Sequence, residues 1–235
     1  PVVDAMTWDE LLEQGRFSAY DRAAVDLLRP GTNDVCEVMF TSGTTGQPKG
    51  VMHTQNTLNA AVDRFVDAVC DGVSSPGGTA DGPGYIFHMA STLAHQTGYL
   101  FGIRAPLTVG GHVILQDVWD PSEFVDLIEQ HQIQISMGAT PFLADVLAVE
   151  AVESRDLSSW KRFVCAGAAV PEPILEDADA RLPCVVLPGW GMTECGLLTV
   201  GRPSDSLAMR LADGRALPGN KVRVVNESGE PIIGT

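Results

Sequence analysis

A polar, glycine-rich segment with a single lysine is the first feature of this sequence that could do chemistry. The segment FTSGTTGQPKGVMH spans positions 40–53 and continues directly from the apolar run VCEVMF at 35–40. Its candidate ligand-binding groups are Thr41, Ser42, Gly43, Thr44, Thr45, Gly46 and Lys49. Glycines let a backbone curve around an anion without obstruction by Cβ atoms, and successive amides form an anion-binding nest. The segment therefore predicts a polyphosphate cradle, with a surface hairpin made of common turn residues as the alternative.

The segment does not follow the Walker A pattern, in which a glycine and a lysine are followed by serine or threonine. Here Lys49 follows Pro48 and precedes Gly50. The sequence is therefore a poor match to an ordinary P-loop nucleotide hydrolase. Only three lysines occur in the chain, at positions 49, 161 and 221, so a lysine that closes this loop favours a specific role.

A second group of candidate residues lies in the segment PGWGMTECG at 188–196, after the apolar run CVVLP. In open α/β sheets, ligands bind outside the carboxyl ends of the strands. Trp190 could stack on a planar base, the Thr193 hydroxyl suits a phosphate, and the Glu194 carboxylate suits a hard cation such as Mg²⁺. The alternative is a turn with a half-buried tryptophan and a capping Thr-Glu pair.

The elements that would position these segments alternate between strands and helices. Strands are predicted at 35–40, 112–115, 133–137, 162–166 and 184–188, and helices at 7–15, 54–70, from Asp120, from Thr140 and from about Pro171. Strands that alternate with helices are joined most simply as a parallel sheet with crossover helices. We therefore predict an α/β fold, with a mostly parallel sheet and flanking helices. The segment KVRVVNESGEPI at 221–232 predicts an antiparallel hairpin.

Composition limits the partners and the compartment. With 235 residues and a formal net charge of −15, the chain is unsuited to nucleic acid or anionic membrane surfaces. No apolar run approaches the roughly 20 residues of a membrane span. No signal peptide is visible, and the absence of an initial methionine suggests a piece of a longer chain. Five cysteines without C-x-x-C spacing argue against a disulfide framework or a zinc site and favour the cytoplasm.

The two segments together resemble the adenylate-forming superfamily, which includes acyl-CoA synthetases. The signature loop of that family is matched at 41–50, and its Tyr-Gly-x-Thr-Glu motif at 190–194, with tryptophan in place of tyrosine. The segment CAGAAVPEPI at 165–174 looks like the segment that lines the adenine pocket of the family. The segment STLAHQTGYLFG at 91–102 looks especially like bacterial synthetases acting on short-chain, medium-chain or cyclohexanecarboxylic acids.

The resemblance implies ATP-dependent activation of a carboxylic acid through an acyl-adenylate, followed by transfer to coenzyme A. It assigns the β- and γ-phosphates to 41–46 and Lys49, the attacked phosphate to Thr193, and Mg²⁺ to Glu194. It assigns the adenine and further nucleotide contacts to Gly167, Ala168, Ala169, Gly189, Trp190, Gly191 and Met192. A ligase of fatty acid metabolism is the implied class.

For the acyl group, the resemblance points to His95 and Gly98. Members that activate amino acids usually place an aspartate at the position matched by His95, and no acidic residue occurs between Gly84 and Gly110. An uncharged hydrophobic or alicyclic acid is therefore expected. A capping or core role is the alternative for His95, and His88 is the alternative match. The other histidines, at 53, 112 and 131, are interpreted as structural.

The resemblance also predicts how the chain is divided. Segment 1–75 belongs to the subdomain with the phosphate loop, 76–205 is the α/β subdomain with the acyl and adenine segments, and 206–235 begins a β-barrel-like subdomain. Trp190 lacks the hydroxyl of the usual tyrosine, and Pro188 replaces a residue that is often polar. The family's later ribose-binding motif and its domain with the catalytic lysine are not in this sequence. The chain alone is therefore expected to be inactive, and a non-catalytic binding module or truncated remnant is the competing hypothesis.

Overall fold

A computed structural model describes residues 9–10, 13, 29–41, 47–74 and 84–232 of the chain. Its strands are β1 Val35–Thr41, β2 Lys49–Thr54, β3 Ile86–Met89, β4 His112–Leu115, β5 Ile135–Gly138, β6 Arg162–Ala166, β7 Val185–Met192, β8 Gly196–Val200 and β9 Arg215–Ala216. Strands β1 and β2 form an antiparallel pair, and the others form one sheet in the order β4-β3-β5-β6-β7-β8-β9. The first five strands in that order are parallel, and β8 and β9 are antiparallel additions. The predicted α/β fold with a mostly parallel sheet is confirmed.

The helices begin where local capping chemistry favours it. They are α1 Gln55–Val69, a π-helix Thr97–Arg104 that continues into α2 Ala105–Thr108, α3 Pro121–His131, α4 Thr140–Leu147, a 3-10 turn Glu150–Glu153, α5 Glu172–Arg181 and α6 Leu207–Arg210. The Asp120 carboxylate accepts hydrogen bonds from the backbone N–H groups of Ser122 and Glu123, at 2.8 and 3.2 Å. These bonds satisfy two of the free amides at the start of α3. The helix starts predicted at Asp120, Thr140 and about Pro171 are confirmed, and the described residues of 7–15 are helical.

The sheet separates two hydrophobic cores. Alternating residues of one strand face opposite sides, so Val164 of β6 packs with α1, whereas Phe163 and Cys165 pack with α3, α4 and α5. Trp160 is fully buried in the second core, and its indole N–H donates to the Ser136 hydroxyl at 2.8 Å. Helix α1, from the predicted first segment, thus packs against the sheet of the second. The division of the chain into three segments stays a prediction.

Two parts of the strand assignment were wrong. The Gly-rich turn predicted after Pro188 is a continuation of β7 to Met192, which pairs with the unpredicted strand β8. A strand that contains proline and two glycines is hard to recognise in a sequence, because these residues normally mark turns. Three further strands were not predicted: β2, which pairs with β1, the four-residue β3, which pairs in parallel with β4 and β5, and the two-residue β9. At 221–232 the chain reverses direction, but the predicted ladder is reduced to one bridge, between Val225 and Pro231.

His88 gives the fold an expected dependence on pH. It is buried on β3, stacks on Phe124 with 4.3 Å between ring centroids, and lies 3.3 Å from the Gln116 amide oxygen. Burial disfavours the charged imidazolium and lowers the pKa of His88 from 6.5 to about 4. The unfolded chain therefore takes up this proton first as pH falls. The stability from neutral His88 is complete above pH 6.5 and is lost progressively towards pH 4.

Because of His88, we expect the free energy of unfolding to fall by up to about 3 kcal/mol between pH 6.5 and pH 4. Urea unfolding at pH 7, 6, 5 and 4.5 measures it in the wild type and in His88→Asn, which does not titrate. The variant should show a shallower loss over this window. Equal slopes in the two proteins would contradict the assignment to His88.

Candidate functional site

A cavity of about 440 Å³ opens at the carboxyl ends of β5, β6 and β7. It collects residues that were predicted as site residues from widely separated parts of the sequence, namely Thr41, Lys49, His95, Gly167, Gly191, Met192, Thr193 and Glu194. The location agrees with the expectation that ligands of an α/β sheet bind at this edge. The structure therefore brings the two predicted motifs together around one space.

Thr41 and Lys49 meet at the loop end of the β1–β2 hairpin. They are cross-strand neighbours, and the Thr41 hydroxyl donates to the Lys49 carbonyl oxygen at 3.5 Å. Lys49 is exposed, so its ammonium group is accessible from the cavity. The hairpin of the alternative interpretation is therefore present, and its loop end lines the cavity, whereas the polyphosphate cradle stays a prediction. Residues Ser42, Gly43, Thr44, Thr45 and Gly46 lie outside the described residues, and their role stays a prediction.

Thr193 and Glu194 lie on the tight turn that joins β7 to β8. Met192 pairs with Gly196 across this turn, and the Cys195 N–H donates to the Met192 carbonyl at 3.1 Å. Gly196 has a φ of +67°, a left-handed conformation that glycine adopts without strain. The turn extends beyond the parallel strands, and this position places the hydroxyl and the carboxylate in the cavity lining.

His53 ties these two parts of the site together. Its Nε2 lies 2.8 Å from the Thr193 carbonyl oxygen, and its Nδ1 lies 3.2 Å from the Thr57 hydroxyl. A carbonyl can only accept, so Nε2 carries the proton and donates this bond. His53 follows Lys49 on β2 and is buried. The strand that carries the lysine is thereby linked to the turn that carries Thr193 and Glu194. The structural role predicted for His53 thus includes support of the site.

The predicted adenine-side residues are only partly assembled in the cavity. Gly167 lines it and has a φ of +92°, with no atom within 4 Å of the place where a Cβ would stand. The carbonyl oxygens of Ala168 and Ala169 accept from the Thr140 hydroxyl at 3.3 and 3.0 Å. Gly189 is buried in β7, and Trp190 is 45% exposed. In the described structure these last four residues do not belong to the lining, and their nucleotide roles stay predictions.

His95 lines the cavity and also bonds to Thr97, the first residue of the π-helix. Its Nδ1 accepts the Thr97 N–H at 3.1 Å, so both interpretations of His95 fit its position. Gly98 instead faces backbone, because a Cβ on it would stand 2.2 Å from the Thr92 carbonyl oxygen. His88 lies in the aromatic cluster of the second core, with Trp119 and Phe124, and is not among the described lining residues.

The buried part of the lining consists of residues that the sequence did not single out. Phe101, Met137 and Leu197 are apolar and belong to the first hydrophobic core, and Gln96 is polar. Gln96 and Phe101 lie in the family-like segment 91–102 but were not chosen as site residues there, and Met137 and Leu197 look like ordinary core residues. The cavity thus combines hydroxyls and an ammonium group for an anion with an apolar surface for an organic group.

The charged side chains that line the described cavity are Lys49 and Glu194. No group of three or more potential metal-ligating side chains occurs among the residues that the structure describes. A Mg²⁺ ion at Glu194 would therefore take its other ligands from a bound phosphate and from water, which is the usual way that proteins hold this ion.

Comparisons with known proteins place this site in context. The family model described as AMP-binding enzyme matches residues 2–234. The chain is 32% identical over 201 residues to the medium-chain fatty-acid–CoA ligase of Escherichia coli (strain K12), covering 85% of this chain and 34% of that protein. It is also 32% identical over 225 residues to a feruloyl-CoA synthase of Amycolatopsis sp, covering 93% of this chain and 42% of that protein. The chain thus spans well under half the length of these relatives.

Among solved structures, the N-terminal domain of FACL13 from Mycobacterium tuberculosis superposes with a TM-score of 0.78 at 23% sequence identity. The match covers 96% of this chain and 53% of that one. This likeness establishes a shared fold. Within the described ranges, none of the helices has both the length and the apolar character that a membrane span requires.

Proposed function

Because the chain belongs to the family of AMP-binding enzymes, we propose that it is part of an acyl-CoA synthetase. The reaction is the ATP-dependent activation of a carboxylic acid, followed by transfer of the acyl group to coenzyme A. The observation that carries the proposal is the meeting of Lys49 and Thr41 with Thr193 and Glu194 in one cavity. The names of the two CoA-ligating relatives support the same class.

In the first step, a carboxylate oxygen of the acid bonds to the α-phosphorus of ATP, and the bond to the β-phosphate breaks. In the second, the sulfur of coenzyme A bonds to the acyl carbon, AMP leaves with the bonding electrons, and the thiol proton passes to solvent. Neither step needs a protein nucleophile. Catalysis then consists of positioning and of neutralising the charge that develops on the leaving pyrophosphate.

The cavity residues fit ATP in this role. Lys49 supplies the cation for the β- and γ-phosphates, and the hydroxyls of Thr41 and Thr193 supply hydrogen bonds. The absence of a side chain at Gly167 leaves open space beside the cavity for a planar base. The apolar residues Phe101 and Leu197 provide a surface for the acyl group, which agrees with the uncharged acid expected from the sequence.

Glu194 carries the carboxylate in the described lining of the cavity, so it is the residue that would bind Mg²⁺. When bound, the ion would neutralise part of the phosphate charge. We expect Glu194→Gln to weaken ATP binding about 10-fold at low Mg²⁺ and less at high Mg²⁺, since extra metal offsets the weaker site. Titration calorimetry with ATP at several Mg²⁺ concentrations measures this. Because Glu194 is exposed, thermal stability should change little. A penalty that is the same at all Mg²⁺ concentrations would contradict a role in metal binding.

The remaining proposals concern the cellular compartment, the metabolic role and the alternative function. The compartment is the cytoplasm, supported by five cysteines that are all free thiols. Fatty acid metabolism is supported by the first relative named above. A non-catalytic nucleotide- or acyl-binding module, the competing hypothesis from the sequence, is the second candidate.

The test is an exchange of labelled pyrophosphate into ATP by the protein at its full encoded length, with a panel of carboxylic acids. We expect exchange that depends on an uncharged acid, and acyl-CoA once coenzyme A is added. Tight ATP binding without exchange for any acid would instead favour the binding module. Exchange driven by free amino acids would overturn the acid class.

A further inference from the structure

The hairpin that carries Lys49 has few attachments to the rest of the fold. Strands β1 and β2 form a sheet of their own, and β2 leads directly into α1, which packs in the first core. On the outer face of the hairpin, Val38 and Phe40 are 52% and 72% exposed. Within the described part of the chain, one hydrogen bond joins the hairpin to the larger sheet and its turns, from His53 Nε2 to the Thr193 carbonyl at 2.8 Å. His53 is therefore the cross-link between the two sheets.

The place of His53 on β2 determines what this bond does at the cavity. Successive residues of a strand alternate between its faces, so Lys49 and His53, four positions apart, are on the same face. At about 3.4 Å per residue, they are separated by roughly 14 Å along the strand. A tilt of the hairpin by about 4° at His53 would therefore move Lys49 by roughly 1 Å. A misplacement of about 1 Å can reduce the rate of a reaction about 100-fold.

We infer that His53 is a positioning residue for the activation of the acid by ATP, because it fixes the distance between Lys49 and the turn with Thr193 and Glu194. This inference rests on the proposed function and adds a residue to it. His53 is buried and is not among the described lining residues, so it acts through the Thr193 carbonyl.

The bond from His53 should affect the transition state more than the binding of ATP. The triphosphate of bound ATP rotates about its P–O bonds, so it can still reach a lysine that has moved. In the transition state, the α-phosphorus and the leaving pyrophosphate must contact Thr193 and Lys49 at the same time. A fixed distance between these two residues therefore lowers the barrier without a matching gain in affinity for ATP.

The experiment measures acid-dependent pyrophosphate exchange by the protein at its full encoded length, with ATP varied to separate kcat from KM. His53→Met keeps a side chain of similar length and removes the N–H donor. We expect kcat to fall about 30- to 100-fold and KM for ATP to change by less than about 3-fold. His53→Gln carries an amide N–H at a reach close to that of Nε2, so its kcat should return to within about 5-fold of the wild type.

A double variant tests whether His53 acts through the position of Lys49. Lys49→Met already removes the group that His53 would position. Adding His53→Met should therefore lower kcat by less than about 3-fold more, since residues that act as a unit have non-additive effects. Independent contributions would instead multiply, and a double variant that loses the product of the two single losses would contradict the inference.

Ser136→Ala is the matched control for lost stability. The Ser136 hydroxyl accepts the Trp160 indole N–H at 2.8 Å in the second core, and Ser136 is not in the described lining of the cavity. His53→Met and Ser136→Ala each remove one buried hydrogen bond, so each should lower the melting temperature by a few degrees. Ser136→Ala should keep the wild-type kcat and KM. His53→Leu repeats the measurement if His53→Met does not fold.

The outcomes separate this inference from the proposed function. If the wild type exchanges pyrophosphate and His53→Met keeps its kcat, the positioning role of His53 is overturned and the proposed function stands. The same holds if the loss is confined to KM, if His53→Gln is as impaired as His53→Met, or if Ser136→Ala loses kcat equally. If the folded wild type exchanges pyrophosphate with none of the acids, both the inference and the proposed function are overturned.

Discussion

Replacing Lys49 with methionine should weaken the binding of Mg²⁺-ATP by about 10- to 100-fold. The lysine is the one cationic side chain among the described lining of the cavity, and a charge-assisted bond to phosphate is stronger than a neutral one. At the full encoded length, acid-dependent pyrophosphate exchange should fall further, by roughly 100-fold, because charge on the phosphates grows in the transition state. Calorimetry and isotope exchange measure the two effects.

The control for this prediction is Lys221→Met. Both substitutions remove one positive charge from a chain with a formal net charge of −15, so the two variants have the same net charge and differ only in the place of the lost charge. Lys49 and Lys221 are each exposed, so neither change should move the melting temperature by more than a degree or two. Equal losses of affinity in the two variants would attribute the effect to net charge and remove Lys49 from the phosphate site.

The sequence was informative where the determinants are local. The start of α3 followed from Asp120, Pro121 and Glu123, because an N-cap aspartate bonds to amides two and three residues along the chain. Strands β4 and β6 were predicted with their observed bounds, because short apolar runs lie between clear breaks. The family resemblance pointed to site residues that come together in the structure. Four of them line one cavity: Thr41, Lys49, Thr193 and Glu194.

The parts that could not be predicted depend on contacts between distant residues. His53 and Thr193 are 140 positions apart, and nothing in either neighbourhood indicates that the imidazole donates to that carbonyl. His95 was predicted as a site residue and its neighbour Gln96 was not. A residue type indicates possible chemistry, but it does not show which of two neighbouring side chains is buried. Strand β8 was missed for a similar reason, since its pairing with β7 depends on glycines that permit close approach.

The close approach of β7 and β8 also explains how the strand with Lys49 and the turn with Thr193 and Glu194 are held together. The turn with Thr193 and Glu194 is fixed from one side by the β7–β8 ladder and from the other by the bond from His53. His53 is on the same strand as Lys49, so a shift of the ladder would change the distance between the lysine and the turn. The geometry of the charged groups therefore depends on the packing of backbone around Gly191.

Gly191→Ala should accordingly abolish detectable ATP binding, a loss of at least 100-fold, and lower the free energy of unfolding by about 1–3 kcal/mol. An added Cβ would stand 2.3 Å from the Gly196 carbonyl oxygen and 2.9 Å from the Leu197 Cα, both of them backbone atoms that cannot rotate away. The strands must separate, and the turn moves with them. Gly201→Ala is the matched control at the far end of the same hairpin, since its Cβ would make ordinary contacts at 3.5 Å or more.

Calorimetry of ATP binding and urea unfolding, performed on both variants, separate the two consequences of the clash. Gly201→Ala should bind ATP and unfold like the wild type. Gly191→Ala should lose binding even at temperatures where it is fully folded, because the turn depends on the ladder more than the core does. The core lies between the sheet and its helices, and a displaced turn leaves those contacts in place. Wild-type affinity in a folded Gly191→Ala protein would show that the turn does not hold the nucleotide.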